Sequence, residues 1–434
     1  MQLSNELALA LHRAGDRPIV DSSMGTHRGT DIWFRAEQLQ NSLADNPVSC
    51  LLCPSNQPAD ILAYVCLAAE GIASVLLLPD YLLNEAATFA ELSGAGAIVS
   101  GDGSLAATRP KQQASGPRDE VLLVTSGTTG TPKIVRHRIS SLCGRIRAGA
   151  PELRVWLLTY LPTSFAGIQV LLTAALAGDL VVQAPRTYDK VLAVAKDRSV
   201  THLSCTPTFL RALIAAGASD AIVPSIRQIT LGGEIADQRT LDSARQRFPR
   251  AQISHIYAAT ETGALFSVRD GREGFPQRWL QDGIEGVHFR ILNDTLQIRS
   301  PRSMIGYVGA DGSDDWIDTG DLVRINGDRV LFAGRRDRRI NVGGAKVIPE
   351  DVERAIMEIP GVVDAVVTGV PNPLTGESVV AEVVTAEESD TDLLRQQIFS
   401  HLRTRLANHQ VPRILRFVNQ VTLSPAGKKA ASSI

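Results

Sequence analysis

Short apolar runs alternate along the first half of the chain with longer stretches in which apolar residues recur at helical spacing, and this alternation predicts parallel α/β layers. Val48 to Leu52 reads as a strand, followed by an amphipathic helix from Ala59 to Glu70 that carries Ile61, Leu62, Val65, Cys66 and Ala69 and stops at Gly71. Ala73 to Leu78 reads as the next strand, Glu85 to Ser93 as a helix ahead of Gly94, and Ala97 to Ser100 as another strand. Gly101 to Arg118 has no period and reads as a surface linker into a buried strand at Val121 to Val124. Beyond it, Leu157 to Leu161 and Leu180 to Val182 predict strands flanking a helix from Ile168 to Ala177, and Val200 to Ser204 and Ile226 to Leu231 add two more.

After Gly334 the texture changes. The run Arg335-Arg336-Asp337-Arg338-Arg339 opens a smaller α+β unit whose first helix, Pro349 to Glu358, has proline in its first turn and the acids Glu350 and Asp351 where the helix dipole favours them. Strands at Asp364 to Val370 and Ser378 to Thr385, a helix from Thr391 to Leu406 and a last strand from Arg413 to Val418 complete it. The pattern predicts a large domain at 1–336 of layered α/β subdomains and a small α+β lid domain at 337–434. The arginine run marks the hinge, since charged segments between differently patterned regions are where boundaries fall.

At 434 residues the chain holds roughly two to three domains' worth of core. Its net charge of −2 leaves no basic excess for a nucleic-acid backbone, so nucleic acid is not expected as a partner. The apolar tract from Val155 to Val182 is interrupted by Pro162, Gly167, Gln169 and Asp179 and is not a membrane span. With no secretory pattern at Met1 to Leu7, and five cysteines at irregular spacing that read as reduced thiols, the expected location is the cytoplasm. Cys50 and Cys53 have redox or zinc spacing but lack a second pair, and they read as buried structural cysteines.

The strand at Val121 to Val124 runs into Thr125-Ser126-Gly127-Thr128-Thr129-Gly130-Thr131-Pro132-Lys133. Backbone N–H groups and hydroxyls in such a loop can cradle phosphates, and Lys133 adds a mobile cation. It is not a Walker loop, because Thr131-Pro132 separates Gly130 from Lys133. Composition alone would equally describe a surface turn. The wording, however, resembles residue for residue the phosphate loop of the adenylate-forming superfamily: acyl- and aryl-CoA synthetases, amino-acid adenylation domains and luciferases. Further matches follow in that family's order: Gly232-Gly233-Glu234, Tyr257-Ala258-Ala259-Thr260-Glu261, Asp318-Thr319-Gly320-Asp321 before a short strand pair, Gly334 to Asp337 before Ile340 to Gly344, and Pro425-Ala426-Gly427-Lys428.

The resemblance implies an enzyme that activates a carboxylic acid with ATP and Mg²⁺, giving an acyl-adenylate and pyrophosphate, and then transfers the acyl group to coenzyme A or to the phosphopantetheine of an acyl or peptidyl carrier protein. Two anions must meet in the first step, which demands cations and fixed dipoles at the reaction centre. The resemblance assigns Lys428 as that cation, Glu261 as the magnesium ligand and Thr260 as the α-phosphate contact. It puts Thr125 to Gly130 and Lys133 on the phosphates, Tyr257 on adenine with the Gly232 to Glu234 backbone along the base's edge, and Asp321 and Arg335 on the ribose. Asp337 would be the pivot, and Gly343 and Gly344 would line a thioester-forming tunnel.

Each motif has a plainer reading when alone: a core tyrosine for Tyr257, a turn for the Asp318 to Asp321 segment, an exposed tail lysine for Lys428. Two departures stand out: Ala258 replaces the family's usual glycine, and the first subdomain is short. The alternatives are an adenylation enzyme that loads a carrier protein or stops at acyl-AMP, and an inactive nucleotide-binding module. In amino-acid adenylation domains the segment resembling Ser164-Phe165-Ala166 continues with an aromatic residue and an aspartate that holds the substrate's ammonium. Gly167 and Ile168 stand there, so the expected acid has no α-amino group and rests its apolar body near Phe165 and Ile168.

Overall fold

A computed structural model describes residues 6–44, 47–108, 116–125, 132–144, 146, 152–185, 187–310, 316–386, 390–424 and 429. The chain forms a large N-terminal α/β domain and a smaller C-terminal α+β domain. The predicted Val48 and Ala73 strands appear as Cys50–Pro54 and Ser74–Leu78, which lie parallel at the heart of a sheet ordered Gly306–Tyr307, Lys133–Arg138, Glu120–Thr125, Ser74–Leu78, Cys50–Pro54, Ala97–Val99, Leu105–Ala107. A second sheet is ordered Gly263–Val268, Gln252–Ala259, Gln228–Leu231, His202–Cys205, Val155–Leu158, Leu180–Gln183, Pro18–Ser22, Gly25–Arg28, with its central strands parallel. Central parallel strands are covered on both faces, which is why their sequences read as unbroken apolar runs.

The helices Pro58–Ala69 and Phe165–Ala177 join the two sheets in one core. Every residue of Pro58–Ala69 except Asp60 is buried, Tyr64 at 1% exposure among them, as expected of a helix that is apolar nearly all round. Phe165–Ala177 starts three residues before the predicted Ile168, because the Ser164 hydroxyl caps it by accepting from the Gly167 N–H. Gly167 is needed at that point: a Cβ would lie 2.1 Å from the Leu161 carbonyl oxygen.

Two further expectations need correction. The linker read at Gly101 to Arg118 contains a strand, Leu105–Ala107, paired antiparallel with Ala97–Val99. Asp318 to Asp321 does not precede a strand pair but lies inside the strand Ile317–Asn326. That strand belongs to an antiparallel five-stranded sheet, Phe275–Pro276, Arg329–Arg335, Ile317–Asn326, Thr295–Arg299, His288–Leu292, most of which the apolar pattern did not reveal.

The C-terminal domain packs the helices Pro349–Met357 and Thr391–Arg405 on a sheet of Ala345–Val347, Ile340–Val342, Gly376–Thr385 and Val362–Asn372, with Ile414–Val418 parallel to Gly376–Thr385. Its core includes Val352, Ile356, Val367, Ala381 and Ile398. All five cysteines are free and buried, and burial pushes the Cys50 thiol up to about 12. Among the described residues, no helix is long and apolar enough to cross a membrane.

Candidate functional site

Thr125 and Lys133 face each other in register at the loop end of the hairpin formed by Glu120–Thr125 and Lys133–Arg138. At its other end Arg136 donates to both oxygens of the buried Glu120, from Nε at 2.8 Å and from Nη2 at 2.7 Å. This two-pronged pair fixes the strands that lead into and out of the phosphate-loop sequence. Ser126, Gly127, Thr128, Thr129 and Gly130, and likewise Lys428, lie outside the described residues.

The strand Gly306–Tyr307 continues that sheet and was not singled out in the sequence. Tyr307 sits between two predicted site residues: Lys133 Nζ lies 5.1 Å from its ring centroid, and its hydroxyl donates to Glu261 Oε1 at 3.4 Å. Burial and the neighbouring Glu261 carboxylate push the phenol up to about 12, so it stays a donor at neutral pH. The Glu261 carboxylate forms no ion pair among the described residues. A single hard oxygen ligand of this kind fits Mg²⁺, which is held by a carboxylate or two together with phosphate oxygens and water.

Thr260 is held from the same hairpin. His137, fully buried, donates from Nε2 to the Thr260 carbonyl at 2.6 Å, and its ring lies 5.5 Å from that of Phe165. Since a carbonyl only accepts, this bond fixes the proton on Nε2. Burial pulls the imidazole down to about 4 and keeps it neutral. The Met304 N–H donates to the Glu261 carbonyl at 2.9 Å, so the Thr260–Glu261 turn is fastened on both sides.

The predicted adenine and ribose residues also come together. The Tyr257 hydroxyl donates to Asp321 Oδ2, while Arg335 donates from Nη1 to Asp321 Oδ1 at 3.1 Å and from Nε to Asp337 Oδ1 at 3.1 Å. Burial, reinforced by Asp321, holds the Tyr257 phenol far above its ordinary range. Its ring rests against Phe332 at 4.8 Å and Phe266 at 5.4 Å, at the edge of the aromatic core beneath the antiparallel sheet. Ala258 packs at the margin of the main core.

Gly232 and Gly233 follow the strand Gln228–Leu231, and the Gly232 carbonyl accepts from the Tyr160 hydroxyl at 3.3 Å. Glu234 does more than line an edge: its carboxylate takes Thr208 on one oxygen and the Lys429 backbone N–H on the other. Gly343 and Gly344 form the turn between Ile340–Val342 and Ala345–Val347, with φ of +59° and +87°. A two-residue hairpin turn with both residues at positive φ demands glycine, and a Cβ at either position would meet nothing within 4 Å. Phe165 and Ile168 are 6% and 1% exposed; Phe165 faces His137, whereas Ile168 lies within the core. A cavity of about 650 Å³ lined by His27, Asp31, Arg35 and Gln38 contains none of the predicted site residues.

Residues 31–300 match the family described as AMP-binding enzyme, and residues 351–428 match the AMP-binding enzyme C-terminal domain. Among curated proteins, the chain is 26% identical to a fatty acid–[acyl-carrier-protein] ligase, MmaC, of Mycobacterium marinum, over 79% of this chain and 72% of that protein. It is 27% identical to the 2-succinylbenzoate–CoA ligase of Bacillus licheniformis, over 71% of this chain and 68% of the relative. Among solved structures, the anthranilate CoA ligase AuaEII in complex with anthranoyl-AMP superposes with a TM-score of 0.77 at 18% identity, covering 99% of this chain and 96% of that one.

Proposed function

Because the chain belongs to the AMP-binding enzyme family, we propose that it is an acid–thiol ligase, which joins a carboxylic acid to ATP as an acyl-adenylate and then passes the acyl group to coenzyme A. In the first step a carboxylate oxygen attacks the α-phosphorus and pyrophosphate leaves; in the second the thiol sulfur attacks the acyl carbon and AMP leaves. The observation that carries the reading is Tyr307, which has Lys133 over its ring and Glu261 at its hydroxyl. That neighbourhood supports a phosphate-binding role for Lys133 and a metal-binding role for Glu261.

In this reading Lys133 and the loop from Thr125 to Gly130 hold the phosphates, and Glu261 holds Mg²⁺, which when bound would neutralise phosphate charge. Thr260, fastened by His137, contacts the α-phosphate. Tyr257, Asp321 and Arg335 take the nucleoside, with the Gly232 to Glu234 backbone along the base. Lys428 stabilises the charge that develops as the two anions meet. Gly343 and Gly344 border the path of the pantetheine arm after the lid, placed at 337–434, turns about Asp337. We place the enzyme in the cytoplasm, where its buried thiols stay reduced.

The acid carries no α-amino group. Ile168, at 1% exposure, stands where a carboxylate would hold an ammonium, and an ammonium buried there uncompensated would cost several kcal/mol. A carrier-protein thiol as acceptor is the second reading, favoured by the likeness to MmaC. Acid-dependent pyrophosphate exchange over aliphatic, aromatic and amino acids tests the first step, and coenzyme A against a phosphopantetheinyl carrier protein tests the second. Exchange driven more strongly by an α-amino acid than by its deaminated analogue would overturn the substrate assignment. Absence of exchange with every acid would overturn the ligase.

A further inference from the structure

A closed ring of polar contacts crosses from one domain to the other. Glu234 Oε2 accepts from the Thr208 hydroxyl at 2.7 Å, and Thr208 Oγ1 accepts from Arg211 Nη2 at 2.9 Å. Arg211 Nη2 also donates to Asp364 Oδ2 at 3.1 Å, Asp364 Oδ1 meets Lys429 Nζ at 2.7 Å, and the Lys429 backbone N–H returns to Glu234 Oε1 at 3.0 Å. Thr208, Arg211 and Glu234 precede Asp337 in the chain, whereas Asp364 and Lys429 follow it.

The ring is built rather than incidental. The side chains of Asp364, Lys429 and Arg211 are only 5%, 10% and 12% exposed. Lys429 Nζ also donates to the Ala365 carbonyl at 2.7 Å and lies 3.6 Å from Glu353 Oε2. Burial pushes the Asp364 carboxyl up, but the Arg211 guanidinium and Lys429 ammonium outweigh it and hold it below the usual carboxylate range. The helix Pro207–Ala215 packs on the strand Val362–Asn372, and Arg239 Nη2 donates to the Val362 carbonyl at 3.0 Å along the same seam.

Lys429 is fastened twice, by its side chain to the C-terminal domain and by its backbone to Glu234 in the N-terminal domain. Turning one domain on the other separates Arg211 from Asp364 and Lys429 from Glu234, so the ring exists in one relative orientation only. Lys429 follows Lys428 directly in the sequence, so the ring fastens the residue next to the proposed catalytic cation.

We propose that Glu234, Arg211, Asp364 and Lys429 form a clasp that holds the lid domain in the orientation for adenylate formation. None of the four touches the reacting atoms; they act through the orientation of the domain. The inference rests on the two-step reading for its catalytic half and on geometry alone for its conformational half.

Spin labels at Gln246→Cys and Asn408→Cys, one exposed site on each domain, report the interdomain distance in the full chain. The buried native thiols leave these two as the reactive ones. The clasp predicts one dominant distance that splits or shifts in Asp364→Asn and in Lys429→Met, the latter leaving the buried Arg211–Asp364 pair intact should the former fold poorly. With an acid that supports exchange, both variants lose about tenfold or more in adenylation, the scale of a lost hydrogen bond to a charged group, while thioester formation from preformed acyl-AMP stays within about twofold. Arg211→Lys, which keeps the charge, recovers part of what Arg211→Gln loses. An unchanged distance distribution in folded Lys429→Met, or equal losses in both half-reactions, overturns the clasp. A wild type that exchanges pyrophosphate with no acid overturns the ligase reading alone, since the distance measurement needs no substrate.

Discussion

His137 donates to the backbone carbonyl of Thr260, a residue 123 positions away, at 2.6 Å. The bond ties the strand Lys133–Arg138 to the turn carrying Thr260 and Glu261, the proposed α-phosphate contact and metal ligand. Strand and turn are therefore held together by one buried imidazole, which must stay neutral.

That neutrality has a pH signature. The folded value of His137, about 4, lies below its ordinary 6.5, so between the two the unfolded chain binds the extra proton and stability falls as pH drops through that window. The full shift corresponds to roughly 3 kcal/mol at most from this residue. His202, pulled down to about 4 by burial and by Arg154, adds in the same direction. Denaturant unfolding of the wild type should weaken from pH 6.5 to 4, and His137→Gln should flatten part of the slope; a slope unchanged in the variant would contradict the assignment.

Tyr307→Phe removes the hydroxyl that orients Glu261 while keeping the ring under Lys133. The Mg²⁺ concentration giving half-maximal pyrophosphate exchange should rise by roughly tenfold, as expected when a ligand loses its outer hydrogen bond. An unaltered Mg²⁺ dependence would show that the Tyr307 hydroxyl does not orient Glu261.

Lys428→Ala should leave ATP binding nearly intact and lower adenylation by roughly 10²–10³, because a cation aimed at developing charge acts chiefly in the transition state. The thioester step should suffer less. Acyl-AMP formed from ATP at the wild-type rate would remove Lys428 from the mechanism.

Gly167→Ala would press a methyl group onto the Leu161 carbonyl, only 2.1 Å from the Cβ position. Backbone on one side and a packed core on the other leave little room to yield, so a loss of roughly 1–3 kcal/mol in unfolding free energy is expected. A variant as stable as the wild type would mean that the helix start shifts freely.

The parallel core was legible because its strands are buried on both faces and read as unbroken apolar runs, as at Ser74–Leu78. The antiparallel sheet was not, because its strands carry charge in mid-run: Ile317–Asn326 includes Asp318, Asp321 and Arg324. The Phe165–Ala177 helix was begun late because Ser164 was not read as a cap, though a serine ahead of an apolar run is such a signal. Motif wording located Glu261, Asp321 and Lys133, but nothing local pointed to Tyr307 or His137, whose partners are 46 and 123 residues distant. Lys429 was overshadowed by its neighbour Lys428, since a tail lysine acquires a role only from the acids that the fold brings to it.

Asp321 already accepts from Tyr257 on one oxygen and from Arg335 on the other. A ribose arriving at Asp321, as proposed, therefore meets oxygens that each already accept one bond, and its hydroxyls share them or exchange bonds rather than fill a void. Exchange of one hydrogen bond for another returns little net free energy. Adenosine alone should consequently be a poor ligand, and discrimination among nucleotides should grow with the number of phosphates. The sugar site would then act as a gauge of fit, with the anion supplying the grip.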